Sequence, residues 1–567
     1  MSSIDWLVSC STILFIILYG IWKSRGIKNI EGFLLADRQL PWYHVGLSVM
    51  ATQASAITFL SAPGQGYTDG MQFIQLYFGL PLAMIVLCVT FIPVFHKLNV
   101  YTAYEFLEKR FDHKTRSLTA GLFLLQRGIS TGITIYAPAL IISLILHINI
   151  NYTIVFTGIL VILYTVYGGT KAVSYTQVLQ MSVIFIGLFL TAIMVMYLLP
   201  ENVGFNDALH IAGKMDRLKA VDTEFDHTNK YNIWSGIIGG FFLHLSYFGT
   251  DQSQVGRYLT GKSVAQSRLG LIMNGLLKIP MQFLILLIGV LVFTFYQFHT
   301  PPVFFNHVEI ENIRTSQYNN AFVELENQHQ QIHLEKRKHI DDFVVALHSN
   351  DQQAKDQAGE ILKQDNQKIN EIKKSVTDLI LKNNPAANKD DSNFIFLSFI
   401  TTQLPVGIVG LLIAIIFLAA MGSTASGINS LASTTIIDFY KRSFAKEESD
   451  AQYLSASRWA TIGWGIFCII AALFASKIGN LIEAVNILGS LFYGTILGIF
   501  LVAFYMKRVR GNSVFLAAVI GEIFIVFAWY YDLTAFLWLN VIGCVLVMIF
   551  AGLFNLILPN KQKLKSV

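Results

Sequence analysis

The chain has 567 residues, 54% of them hydrophobic and only 14% charged, with a mean hydropathy of +0.53 and a net charge of +5. A soluble protein carries roughly 25% charged residues, so this composition excludes an ordinary soluble enzyme and calls for a bilayer, in which each spanning helix needs about 20 consecutive apolar residues. The four cysteines, Cys10, Cys88, Cys468 and Cys544, fall in apolar stretches without CxxC spacing, which argues against a disulfide framework or a zinc site.

Apolar runs predict an all-α membrane protein of thirteen spans, at 4–22, 43–63, 72–96, 117–147, 151–168, 174–199, 233–256, 266–298, 394–437, 453–476, 480–506, 512–531 and 533–558. The first has Asp5 before its apolar run and Lys23, Arg25 and Lys28 after it. A secretory signal has the opposite polarity, so this segment reads as a retained anchor with its N-terminus outside. Counting alternately, the loops expected in the cytoplasm hold Lys23/Arg25/Lys28/Arg38, Lys97/Lys109/Arg110/Lys114/Arg116, Lys171 and Arg257/Lys262/Arg268. They continue with Lys441/Arg442/Lys446/Arg458, Lys507/Arg508/Arg510 and a tail with Lys561, Lys563 and Lys565. The short loops on the other side carry Lys477 and almost no other basic residue. That bias predicts N-out, C-in.

Two longer polar stretches, 200–232 and 299–392, fall outside. In the second, Phe322 and Leu325, then Ile361, Ile369, Ile372, Val376 and Ile380, are spaced as on amphipathic helices, predicting a helical hairpin outside the membrane. A solvated elaboration is the plain reading of it, and an extracytoplasmic partner the alternative. Gly256 to Ser263 satisfies the GxxxxGK[ST] pattern, but it follows a membrane helix and has no βαβ unit around it. Arg257 and Lys262 therefore read as cytoplasmic anchors and not as parts of a phosphate loop. With no domain for ATP hydrolysis, transport would be driven by a gradient.

Polar groups are costly in a bilayer, so their clustering marks a cavity or pathway. The second segment runs Gly46 to Thr58 through Ser48, Thr52, Gln53 and Ser55, then reaches Pro63, Gly64, Gln65 and Gly66. This is poor lipid-facing helix and good discontinuous helix, whose freed carbonyls are natural ligands for an alkali cation. The ninth segment gives Ala419, Ala420, Gly422, Ser423, Thr424, Ala425, Ser426, Gly427, Asn429 and Ser430, hydroxyls among residues small enough for close helix approach. A third cluster, His244 to Gln252, follows Gly239-Gly240 and suggests a second broken helix. Two broken helices in corresponding positions predict inverted repeats of 43–199 and 233–506, the second containing the 299–392 insert. One helix, 4–22, precedes them and two, within 512–558, follow.

Several motifs together resemble the sodium:solute symporter family: GFLLADRQLPWYHVGLSVMATQASA at 32–56, TAYEFLEKRF at 102–111, YTVYGGTKAVSYTQVLQ at 164–180, GTDQSQVGRYL at 249–259, AAMGSTASGINSLASTTIIDFYKR at 419–442 and AVNILGSLFYGTILGIF at 484–500. The resemblance covers the chain except 299–392. It implies a five-plus-five inverted repeat of the leucine-transporter type working by alternating access. It also implies one shared sodium site, which falls by motif on Ala51, Ala54, Ala419, Gly422 and Ser423. Two departures stand out. The family usually has hydroxyls at both of the last two positions, and Gly422 has none; Thr424 is the candidate to compensate. Where the family usually places Asp, this chain has Gln177, and Ala425 replaces a further hydroxyl, so a second sodium is not expected.

The resemblance places the solute between the broken helices, with Gln53, Thr58, Gln72, Gln75, Tyr77, His244, Tyr247, Lys278 and Asn486 as lining candidates. Tyr247 matches an inner-gate position, and Lys278 a binding-site lysine, of the galactose-transporting relatives. Arg127 is a deep charge suited to an anionic solute or to a protein carboxylate. Three readings follow: a sodium-coupled symporter, a proton-coupled or uncoupled transporter of the same fold, and a membrane sensor whose outer hairpin binds a partner. The expected partners are a small solute and the bilayer, with no nucleic acid, and the features suit a bacterial inner membrane. No nucleophile–base set for an enzyme emerges.

Overall fold

A computed structural model describes residues 1–23, 29–146, 148–349, 351–385, 387–444, 448–475 and 479–558. Arg25, Lys28, Lys446, Lys477, Lys561, Lys563 and Lys565 lie outside the described residues. The fold is all-α; the one pairing of extended backbone among the described residues is a bridge between Leu40 and Gly261.

Helix α1 (Ser3–Lys23) and the short α2 (Ile30–Leu35) precede α3 (Trp42–Gln53) and α4 (Ala56–Asp69). A 3-10 segment, Gly70–Tyr77, leads to α5 (Leu80–Val86), which continues through a π turn into α6 (Ile92–Leu98). Then come α7 (Tyr104–Arg110), α8 (His113–Leu146), α9 (Ile150–Tyr197) and α10 (Phe205–Lys214). The second half holds α11 (Gly240–Thr250), α12 (Gln252–Tyr258) and α13 (Val264–Phe298), followed by the insert helices α14 (His307–Arg314), α15 (Asn319–His348) and α16 (Gln352–Asn383). The chain closes with α17 (Ser392–Gln403), α18 (Ile408–Thr434), α19 (Asp450–Leu473), α20 (Leu481–Tyr505), α21 (Gly511–Tyr530) and α22 (Phe536–Ile557).

Among the described residues, ten helices are long and apolar enough to cross a membrane, against the thirteen spans read from the sequence. The difference has physical causes. The runs at 43–63 and 233–256 are each interrupted, so each half falls short of a full span. The run at 151–168 gives only a shorter apolar helix, Ile150–Val166. The single run read at 394–437 is two helices, because Pro405 cannot donate a hydrogen bond and the chain turns at Gly407 with φ +91°.

Helix α9 joins the two runs read at 151–168 and 174–199, and a glycine separates them. A straight helix of its 48 residues would be about 72 Å long, far more than one bilayer crossing. Gly169, at φ +54° and ψ −166°, turns the chain there, and a Cβ at that point would sit 2.9 Å from the Phe33 carbonyl oxygen of α2. The loops read as cytoplasmic meet at one end of the bundle. Arg110 donates to the carbonyls of Lys507 (2.8 Å) and Met506 (3.1 Å), Arg38 to that of Val100 (2.8 Å), and Arg442 pairs with Glu108 (2.6 Å). The insert sits at the other end.

There α15 and α16 form the hairpin that the spacing predicts, with Phe322, Ile372, Val376 and Ile380 in a small core beside Val303, Phe304, Ile310 and Ile313. Ile361, read as part of that stripe, is 40% exposed. The hairpin is also seated on the bundle: Arg337 donates to the Phe298 carbonyl (3.0 Å), Lys373 pairs with Asp391 (2.7 Å) and Asp356 with Lys214 (2.5 Å).

Helix α1 does more than anchor. Its buried Asp5 accepts from the backbone N–H groups of Gly407 (2.7 Å) and Gly410 (3.1 Å), capping α18 from a neighbouring helix, and Ser9 donates to the Gly410 carbonyl (2.6 Å). Charged hydrogen bonds of this kind are worth about 1.5–3 kcal/mol. Asp5→Ala is therefore expected to lower the thermal unfolding midpoint of the detergent-purified protein, and Asp5→Asn to lower it less. Equal midpoints for Asp5→Ala and wild type would show that α18 does not need this cap.

Candidate functional site

The first broken helix stops because the backbone leaves helical space at Ala54 (φ −82°, ψ 78°) and Ser55 (ψ 174°) before α4 begins. The carbonyls of the last turn of α3 thereby lose their intrahelical donors. The second break is at Asp251 (φ −78°, ψ 118°), which separates α11 from α12. Asp251 Oδ1 caps α12 by accepting from the N–H of Ser253 (2.8 Å) and from its hydroxyl (2.6 Å). Its Oδ2 pairs with Arg127 of α8 and accepts from the Tyr493 hydroxyl (2.9 Å). Tyr104 donates to the freed carbonyl of Thr250 (2.9 Å). The second interruption is thus satisfied by side chains, as an unhydrated interior requires. Of the two partners read for Arg127, the structure supplies the protein carboxylate.

A cavity of about 100 Å³ lies between the breaks. It brings together six of the nine solute candidates: Gln53 and Thr58 beside the first break, Tyr77 from the 3-10 segment, His244 and Tyr247 on α11, and Asn486 on α20. His244 stacks on Tyr77 with ring centroids 5.5 Å apart, and its Nε2 lies 3.2 Å from the Leu76 carbonyl. Gln53 Oε1, His244 Nδ1 and Arg127 Nε are buried without a protein partner, so polar groups are left over for a solute.

The other three candidates stand elsewhere. Gln75 staples the outer loop, donating to the Tyr231 carbonyl (2.9 Å) and accepting from the Asp222 N–H (3.0 Å). Gln72, whose carbonyl accepts from Gln75 Nε2 at 3.3 Å, is half-buried on the same 3-10 segment. Lys278 is wholly buried on α13 and lies 5.7 Å from the Tyr77 ring centroid, outside the cavity lining. The cavity adds groups the sequence reading had not assigned to it. Ser130, Thr131 and Thr134 recur on the face of α8 that carries Arg127, and Tyr493 faces Tyr247 at 5.8 Å. Polar residues at helical spacing in an otherwise apolar span were the available signal.

Ser423 lines the same cavity, and its hydroxyl donates to the Ala419 carbonyl (2.8 Å). Thr52 Oγ1 lies 3.1 Å from Ser426 Oγ, tying the end of α3 to α18 near Ala51 and Ala54. The side-chain space that Gly422 leaves is filled: Gln180 Oε1 lies 2.5 Å from where a Cβ would stand, and it is buried with no hydrogen-bond donor. Thr424 Oγ1 is likewise buried without a partner. Gln177 donates from Nε2 to Ser426 Oγ (3.0 Å), the Gly422 carbonyl (3.2 Å) and Thr52 Oγ1 (3.2 Å), and its Oε1 accepts from Ser48 (2.5 Å). A neutral NH₂ therefore stands among three oxygens.

The basic end of the bundle is closed. Arg116 pairs with Asp438 and with Glu108 (2.7 Å each), and Thr102 donates to Asp438 (2.8 Å). Burial works to raise the Glu108 carboxyl, but hydrogen bonds from Arg442 and Arg116 outweigh it and hold it at about 2. Gln254 donates to Tyr247 Oη (2.6 Å) beneath the cavity. Arg257, read as a surface anchor, is instead buried at 3% exposure, and Ser263 of the GxxxxGK[ST] match is the N-cap of α13.

Two interrupted helices around a polar midplane cavity define an all-α transporter of the inverted-repeat class. The chain belongs to the sodium:solute symporter family, whose sequence model matches residues 33–329 and 379–521. It is 26% identical over 545 residues to the sodium/glucose cotransporter of Vibrio parahaemolyticus, covering 93% of this chain and 85% of that protein. It is 26% identical over 574 residues to a sodium/sialic acid symporter of Proteus mirabilis, covering 99% and 96%. A solved Na⁺-coupled sialic acid symporter, in a substrate-bound outward-open state, superposes with a TM-score of 0.75 at 23% identity and 98% coverage of both chains, which establishes the fold. The family match reaches into both flanks of the 299–392 stretch and leaves out only 330–378 of it.

The Arg127–Asp251 pair gives a prediction. Removing one partner of a buried ion pair costs about 3–5 kcal/mol, whereas removing both costs less. Arg127→Met and Asp251→Asn should each lower the unfolding midpoint sharply, and the double variant should lower it by much less than their sum. Additive losses would contradict a direct pairing.

Proposed function

We propose that the protein is a sodium-coupled symporter of a small polar organic solute, moving one sodium per cycle by alternating access between repeats 43–199 and 233–506. The observation that carries this reading is the unpartnered Gln180 oxygen in the place a residue-422 side chain would fill, next in sequence to the Ser423 that lines the cavity. Hard monovalent cations take oxygen ligands, and a buried acceptor without a donor is otherwise a net cost. The proposed ligands are the carbonyls of Ala51, Ala54 and Ala419, the Ser423 hydroxyl and Gln180 Oε1, which stands in for the hydroxyl absent at Gly422. Bound there, sodium draws the end of α3 onto α18, fixing the half-helix that also carries Gln53 and Thr58. Binding of ion and solute is coupled because both act on that same interruption.

Gln177 supports a single sodium. Its NH₂ brings two donors among three oxygens 3.0–3.2 Å away and carries no negative charge to hold another cation. For the solute, Arg127 Nε is a donor, Gln53 Oε1 an acceptor and His244 Nδ1 either; with Asn486 they suit hydroxyls and a carboxylate, as in a sugar, a polyol or an organic acid.

The test is uptake of labelled sugars, sugar acids and monocarboxylates into proteoliposomes under an inward sodium gradient. Uptake should need sodium, with a Hill coefficient near one. Gln180→Ala should raise the sodium concentration for half-maximal uptake about tenfold, equivalent to about 1.4 kcal/mol. Gln177→Asp should raise the Hill coefficient toward two. Uptake driven equally by a proton gradient in potassium would sink the sodium reading, and an unchanged sodium requirement in Gln180→Ala would remove that ligand.

A further inference from the structure

A second cavity, of about 130 Å³, lies where the hairpin meets the bundle. The ionisable groups lining it are Tyr67 from the last turn of α4, Tyr296, Arg217, His329, His333, Lys336 and Lys373, with no carboxylate among them. These are not surface charges. Lys336 is 1% exposed, His329 3% and His333 6%.

Their hydrogen bonds leave donors free toward the cavity, while the carboxylates that act on them, Asp69 and Asp216 on Arg217 and Asp365 on Lys336, stand outside its lining. Lys373 is paired with Asp391 (2.7 Å), but Lys336 Nζ donates to a neutral acceptor, Asn366 Oδ1 (2.6 Å). Arg217 Nε and His333 Nε2 are buried with no partner. Asp365 is near Lys336, but its carboxylate is engaged by His339 (2.7 Å). Burial pushes Lys336 down to about 7, with Arg217 adding to the fall and Asp365 opposing it. Burial and the neighbouring lysines likewise push His329 down to about 4, and burial, His329 and Lys336 push His333 to about 3. A buried cation that hydrogen-bonds only a neutral acceptor, as Lys336 does, is costly, and that cost is relieved when an anion enters.

His329 and His333 are four residues apart on α15, a spacing that also suits a metal. The cations around them repel a divalent ion, however, and among the described residues no group of three His, Cys, Asp or Glu could hold one. Place matters too. Tyr67 packs on Phe293 (5.4 Å) and Phe305 (5.7 Å), so the floor of this cavity is the far end of the half-helix that carries Thr58. His333, Lys336 and Lys373 belong to the 330–378 stretch that the family model leaves out, whereas Tyr67, Arg217 and His329 lie within the match.

We propose that this cavity is an anion site, taking a small oxyanion or carboxylate that pins the hairpin to the end of α4. It does not depend on which ion drives transport. The test uses the full-length protein in phospholipid-free detergent, titrated with sodium sulfate or sodium acetate against sodium chloride at equal ionic strength and equal sodium. Wild type should show a saturable rise in unfolding midpoint of roughly 2–4 °C with one or both of the first two anions. Lys336→Met and His333→Gln should lose the rise. Lys336→Met should unfold no lower than wild type without anion, because it removes an unpaired buried charge, so lost response is separable from lost fold. Hydrogen exchange over Gly64–Asp69 should slow with sulfate in wild type and stay unchanged in Lys336→Met. A rise that persists in both variants, or no rise with either anion, would overturn the proposal. So would a response to anionic phospholipid alone.

Discussion

Everything in this molecule depends on one constraint: backbone hydrogen bonds are interrupted twice inside a membrane, where no bulk water can replace them. At the second interruption Asp251 caps α12 with one oxygen and holds Arg127 and Tyr493 with the other, while Tyr104 donates to the freed Thr250 carbonyl. At the first, the end of α3 is met from α18 and α9 by Ser426 and Gln177. The groups these partners leave unsatisfied, on Gln53, His244, Arg127 and Gln180, face the cavity or the neighbouring oxygen cluster. Binding capacity is what remains after the interruptions have been stabilised.

The same logic links the two ends of the bundle. The Arg116–Asp438–Glu108–Arg442 network closes the basic end with charges whose partners come from different helices, an arrangement that can exist fully made or fully broken but gains little halfway. At the opposite end, α4 is bounded by the hairpin, most of which lies in the 330–378 stretch that the family model leaves out. A chain can therefore keep the common core and still change how its outer half-helix is restrained.

Much of this was legible in the sequence. Small residues and hydroxyls where a lipid-facing helix should be greasy located both interruptions, and the apolar spacing in 322–380 gave the hairpin. The failures have causes. Gln72, Gln75 and Lys278 carry the right chemistry, but helical phase and a 3-10 segment turn them to an outer loop or behind Tyr77, which periodicity cannot resolve in so short a stretch. The run at 394–437 hid a break because its one proline sits among apolar neighbours. Arg127 was visible, but its partner lies 124 positions away, and only the fold brings the two together. Gly422 looked like a missing ligand, and nothing local announced that Gln180, from another helix, occupies its space.

The central claim is that α3, α18 and α9 jointly hold a sodium ion. The most direct measurement is the thermal unfolding of purified protein in sodium, potassium or choline chloride at equal ionic strength, repeated for Ser423→Ala. A ligand that binds only the folded state raises its midpoint by mass action. The account predicts a rise specific to sodium that Ser423→Ala abolishes. Identical midpoints in all three salts, or a sodium-specific rise that survives in Ser423→Ala, would contradict it.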